Sequence, residues 1–374
     1  MVASRLTVVN GTVLGADARA TGGVADGHVV IEDGRIVAVG AGSTSSIDGL
    51  VIDAGGGWIT PGFIDVQING GHGIDLTTEP QRIDEFASHL PRYGVTSFVP
   101  TVITCPPRAL DAALDAWRSR DGDRPGSASP IGLHLEGPML APVRRGAHPQ
   151  ELLVAPAPEL IEGWSAATGV VLVTLAPELP GALEVIAALV DRGVLVSLGH
   201  TDASAAQFTA GLAAGATYTT HLFNGMRPFG HRDPGPIGAV LADDRVVAGL
   251  ICDGIHVDPV AVRMAWRALG SGRLNLVSDA VDALGMRPAG TGVRTPDGVL
   301  AGSDLALDQA VRNLVAFAGC SVPDAVTTVT STPADLLGLT DRGRLAPGLR
   351  GDVAVLDPAL RVVATIVAGV RAVS

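Results

Sequence analysis

Lysine is absent from this sequence, and all 26 basic residues counted as Lys or Arg are arginine. No metal pair here can be bridged by a lysine side chain. Aromatic residues are also scarce, at 3%, so any core must be built from Val, Leu, Ile and Ala. The three cysteines, Cys105, Cys252 and Cys320, lie far apart and form no CxxC pair. That excludes a disulfide framework and a thiolate zinc site. No apolar run approaches the roughly 18 residues of a membrane span. The opening Met1–Leu6 turns β-like without a signal-type apolar region, so cytoplasm is the expected location. A net charge of −12 argues against nucleic acid or an anionic membrane as partner.

What remains is a chain of 374 residues, 47% of them hydrophobic, long enough for one barrel and a small second domain. Short strands open it: Leu6–Val9, Gly27–Ile31 and Arg35–Val39, the last two joined by Glu32-Asp33-Gly34, a tight-hairpin signal. A comparable β pattern returns only at Asp352–Asp357 and Arg361–Val367. Neither end could bury a sheet face alone. We expect one small β-sandwich domain from residues 1–58 and 341–374, with the larger domain, 59–340, inserted between them. That larger part is of α/β class. Apolar runs at Gly62–Val66, Ser97–Thr101, Ile131–Leu135, Val170–Leu175, Val194–Leu198, Ala216–Thr220, Val246–Ile251 and Leu274–Val277 alternate with helix-like segments such as Pro107–Trp117 and Pro259–Leu269. Eight β-then-α units predict a (β/α)8 TIM-type barrel, and no GxGxxG supports a dinucleotide fold. A Gly-rich, hairpin-like stretch is expected at Gly290–Gly302.

Polar clusters end several of those runs. Glu136, His200 and His221 each close a different one. Neutral imidazole and carboxylate at separate strand ends are the ligand set of a catalytic divalent site with one position open to water. Asp279 ends the last run. It could be a helix N-cap or a proton acceptor that later returns the proton to a departing amine. The first run ends in Gln67 and Asn69, poor ligands for a transition metal, which favours a single ion. His72 lies close by as an unorthodox ligand or a loop residue. The loop His221–Gly235 offers Asn224, Arg227 and Arg232 to an anion such as phosphate, with Arg232 preferred. His256 is expected to contact substrate. His148, in the loop after Glu136, is either a surface histidine or a residue reaching over the site.

These motifs together resemble the N-acetylglucosamine-6-phosphate deacetylase group of the amidohydrolase superfamily. Those that carry the resemblance are Pro61-Gly62-Phe63-Ile64-Asp65, His134-Leu135-Glu136-Gly137-Pro138, Gly199-His200-Thr201, His221-Leu222-Phe223-Asn224-Gly225-Met226, Asp253–Asp258 and Val277-Ser278-Asp279-Ala280. The resemblance implies a homodimeric enzyme that hydrolyses the acetamide of N-acetyl-D-glucosamine 6-phosphate, an amino-sugar phosphate, in amino-sugar catabolism. It implies Glu136, His200 and His221 as metal ligands, Asp279 as general base then acid, and His148 as a hydrogen-bond donor to the amide carbonyl. Asn224, Gly225, Arg232 and His256 would contact sugar and phosphate, some across the dimer interface. Zinc is the expected ion, though iron, manganese and cadmium also suit a Glu/His2 set. Three rivals stay open: a deacetylase for the galactosamine epimer, another amidohydrolase, and a catalytically inactive scaffold. Cyclic-amide members pair His-x-His with a bridging lysine, and this chain has neither.

Overall fold

The computed structural model describes residues 5–15, 22–42, 49–287 and 292–372. Met1–Ser4, Gly290 and Thr291, used in the expectations above, lie outside them. The N-terminal strands are β1 (Arg5–Val13), β2 (Val24–Glu32), β3 (Arg35–Ala41), β4 (Leu50–Asp53) and β5 (Trp58–Pro61). Asp33 (φ 49°) and Gly34 (φ 79°) both take left-handed dihedrals between β2 and β3, the geometry that a two-residue hairpin needs.

Two short strands, β7 (Gly70–Gly71) and β8 (Ile74–Asp75), follow β6 (Phe63–Ile68), the first barrel strand. The barrel continues with β9 (Val95–Ile103) and its small neighbour β10 (Ser129–Pro130), then β11 (Leu133–Glu136) and β12 (Val170–Leu175). It ends with β13 (Leu195–Leu198), β14 (Tyr218–Thr219), β15 (Val247–Ile251) and β16 (Leu274–Val277). Every pairing among the barrel strands is parallel. Strands such as β6, β11 and β16 are buried at every position, as strands covered on both faces must be. Where Ala216–Thr220 was expected to be a full strand, the ladder shrinks to Tyr218–Thr219. The flanking N–H groups of Thr217 and Thr220 reach their carbonyls only at 3.3 Å.

The barrel closes without a regular ladder between β6 and β16. Near the bottom, Ile64 N–H donates to Val329 O (2.8 Å) and Leu276 N–H to Thr328 O (3.2 Å), so residues 328–329 wedge between the two strands. Near the top the strands meet directly: Asp279 N–H donates to Gln67 O (2.9 Å) and Asn69 N–H to Ala280 O (2.7 Å). This seam brings the first and last strand ends together.

Both chain ends complete the smaller sheet. From the C-terminal part come β17 (Val353–Leu356), β18 (Val362–Val367) and β19 (Val370–Arg371). The order is β19-β18-β17-β5-β1-β2-β3, with β4 also on β1. Strand β1 serves two neighbours in turn, running parallel to β4 through Leu6–Val9 and to β5 at Thr12–Val13. The sheet encloses its own core of Leu6, Val8, Ile31, Ile59, Val353, Val355 and Ile366 among others, separate from the barrel core.

Candidate active site

Polar side chains from six strand ends converge on a cavity of about 430 Å³ at the C-terminal mouth of the barrel. That is the face where barrel enzymes place their chemistry. Glu136 ends β11 and is 3% exposed. His200, His221 and Asp279 follow β13, β14 and β16, and all three hold left-handed backbones (φ 48°, 26° and 47°). Such conformations cost non-glycine residues about 1–3 kcal/mol each and gather at functional sites. Here they turn each chain sharply as it leaves the barrel.

Three of these side chains meet at one point. His221 Nε2 lies 3.0 Å and His200 Nε2 3.3 Å from Glu136 Oε1, and the two imidazole nitrogens are 3.1 Å apart. Tetrahedral bonds of 2.0–2.1 Å to one ion would put ligand atoms about 3.3–3.4 Å from each other. His200 Nδ1 sits 2.8 Å from Arg144 O; donating there, it leaves the Nε2 lone pair to the cluster, the outer-shell arrangement metal-binding imidazoles adopt. Burial pushes the Glu136 carboxyl up, but hydrogen bonds and charge from His200 and His221 outweigh it and hold the group well below 4.5. Burial lowers His221, yet the Glu136 hydrogen bond and charge raise it to about 8. The trio attracts positive charge, and its donors suit a divalent cation.

Glu136, His148 and His200 form an overlapping group, with ligand atoms within 4.8 Å of one another. His148 Nε2 is 3.9 Å from Glu136 Oε2, a longer gap than any within the trio, so the trio is the tighter fit. His148 is 5% exposed, not a surface residue. Its Nδ1 meets Thr104 Oγ1 at 2.9 Å. Burial, then the His200 charge, lowers it to about 3, so the ring is neutral.

Asp279 stands beside the trio with its carboxyl raised by burial and by the Glu136 charge. His256 also lines the cavity and is held by Asp253, whose Oδ2 is 2.6 Å from Nδ1. Asn224 and Gly225 form part of the wall. Arg232 does not. It is exposed on the turn beyond Phe229, Arg227 pairs with Asp233 instead, and no arginine is among the described residues lining the cavity. His72 turns to Tyr93 OH (3.0 Å) and stacks on His89 (centroids 4.3 Å apart), a loop role away from the trio. Residues 294–300 form the expected hairpin, and Val293, Val299 and Leu300 roof the cavity.

The model of the amidohydrolase family matches residues 58–372. This chain belongs to the amidohydrolase family, within its N-acetylglucosamine-6-phosphate deacetylase group. Curated relatives of that name include one from Rattus norvegicus, 40% identical with 85% of this chain and 84% of the relative covered. Another, from Bacillus subtilis, is 35% identical with 92% of each covered. Among solved structures, a mutant N-acetyl-D-glucosamine-6-phosphate deacetylase from Mycobacterium smegmatis, in complex with N-acetyl-D-glucosamine-6-phosphate, superposes with a TM-score of 0.89. The two are 34% identical, and all of both chains is covered. A divalent metal fits both the amidohydrolase family and the buried Glu/His cluster.

Some of this site was not singled out from the sequence. Thr104, the Arg144 carbonyl and Asp253 each hold a site histidine. Only Asp253 left a readable sign: in Asp-Gly-Ile-His its Oδ1 accepts the N–H groups of Ile255 and His256, both at 2.8 Å, a turn habit of aspartate.

Proposed function

We propose that this amidohydrolase removes the acetyl group of N-acetyl-D-glucosamine 6-phosphate, giving D-glucosamine 6-phosphate and acetate in amino-sugar catabolism. The observation that carries this is the meeting of Glu136, His200 and His221 within 3.0–3.3 Å of one another, beside a buried carboxyl, in a chain of this deacetylase group. Glu136, His200 and His221 hold one divalent ion, zinc in our reading. Bound there, such an ion would lower the pKa of water towards about 7 and polarise a carbonyl.

The chain's own residues do the rest. His148 donates from Nε2 to the acetamide oxygen as it gains charge, its ring set by Thr104. Asp279 takes a proton from the attacking water as the new C–O bond forms. It returns that proton to the sugar nitrogen as the C–N bond breaks, and acetate leaves. Asn224, Gly225 and His256 line the sugar side.

The phosphate needs a cation, and no arginine is among the described residues that line the cavity. We assign that cation to Arg232 of a second copy in a homodimer. Arg232→Ala should raise KM for the phosphorylated sugar far more than for the unphosphorylated one; equal effects would remove Arg232 from the phosphate site.

Acetate release from N-acetylglucosamine and N-acetylgalactosamine, each with and without 6-phosphate, tests the reading as a whole. Fastest turnover of N-acetylglucosamine 6-phosphate by protein carrying one metal per chain supports it. Preference for the galactosamine epimer, or metal-loaded protein that releases no acetate, overturns it.

A further inference from the structure

Gln67 and Asn69 occupy strand-end positions where two imidazoles would give further metal ligands, and amides are poor ones. Their side chains nevertheless point at the reacting carboxyl. Asn69 Nδ2–H donates to Asp279 Oδ1 at 2.8 Å, and Gln67 Nε2–H donates to the same oxygen at 3.1 Å and to Glu136 Oε1 at 3.2 Å. The amide orientation follows from chemistry, because ionised carboxylates only accept. It leaves Gln67 Oε1 and Asn69 Oδ1 buried without partners. Two orphaned acceptors destabilise the fold, so stability alone gives no reason to keep both amides.

The backbone ties the same parts together. Asp279 N–H donates to Gln67 O, and Asn69 N–H to Ala280 O, so the barrel seam fixes the distance between donors and carboxyl. Oδ1 thus receives two N–H donors. No hydrogen bond from the described residues reaches Oδ2, and Asp279 lines the cavity.

We propose that Gln67 and Asn69 are positioning residues for Asp279, locking Oδ1 so that Oδ2 is the oxygen that takes the proton from water and returns it to the amine. This rests on the deacetylase reading above. Asn69 is the cleaner probe, since its amide touches Asp279 and not Glu136.

The test uses Asn69→Leu, close to asparagine in shape but without donors, and Asn69→Ala should the first not fold. Expected are unchanged metal per chain, KM within about threefold of wild type, and kcat lower by about 10- to 100-fold. That is the fold-change of one lost hydrogen bond to a charged group. In an Asp279→Asn background the same substitution should cost nothing further, because residues acting as a unit are not additive. Unchanged kcat, a rise in KM alone, metal lost in step with activity, or full additivity with Asp279→Asn would each overturn the proposal. Wild-type protein that fails to release acetate would instead overturn the deacetylase reading, before any variant is compared.

Discussion

His148 and His221 both face Glu136, and exchanging each for leucine separates their roles. The trio's ligand atoms lie 3.0, 3.1 and 3.3 Å apart, close to the roughly 3.3–3.4 Å edge of a tetrahedron with 2.0–2.1 Å bonds. His148 Nε2 stands 3.9 Å from its nearer Glu136 oxygen and lines the same cavity, where we propose that it meets the substrate carbonyl. His148→Leu should therefore keep one metal per chain and lose a donor to the developing oxyanion. Such a loss lowers kcat by about 10²–10³-fold, or about 2.7–4 kcal/mol. His221→Leu should lose the metal itself. Elemental analysis after dialysis, beside acetate release at saturating substrate, reads both effects in the same samples. If His148→Leu sheds metal as His221→Leu does, His148 is a ligand and the oxyanion assignment fails.

Asp279→Asn should retain metal and substrate binding while kcat falls by orders of magnitude; surviving turnover would place the base elsewhere. Asp65 is wholly buried, and burial raises its carboxyl from 3.8 to about 7. Its stabilising contribution is full below pH 3.8 and is lost as pH rises through about 7, a change on the order of 4 kcal/mol. Asp65→Asn should flatten that fall, read as urea midpoints at pH 5 and pH 8; parallel pH dependence in the two proteins would refute it. Gly169 holds φ +97°, and a Cβ there would sit 1.9 Å from Trp117 Nε1. Gly169→Ala should cost about 2–5 kcal/mol of left-handed strain and overpacking, visible as a lower urea midpoint, and an unchanged midpoint would contradict the packing of Trp117.

Strand ends were the readable part of this chain because a parallel barrel makes its strands continuous apolar runs and puts polar residues where they stop. Glu136, His200, His221 and Asp279 could be picked out for that reason, and they do share one cavity. His148 could not be placed from position alone. It lies in a loop, and its burial depends on Thr104 and His200, 44 and 52 residues away in sequence. Gln67 and Asn69 could be read only as missing ligands. Their donor role needs the seam between β6 and β16, and no local pattern announces which strands close a barrel. Arg232 shows the opposite limit: a Gly/Pro-rich loop with arginines suggested an anion site, but its side chain is not in the cavity wall of its own chain.

The pairing of β5 with β17, Thr60 opposite Ala354, also shapes how the polypeptide is made. A ribosome releases β1–β5 long before β17, the second neighbour of β5, exists, so that half-finished sheet must wait with an open edge while nearly three hundred residues emerge. Open edges invite pairing with other nascent chains. Fragments ending before residue 353 should therefore be prone to clump, however sound their barrel.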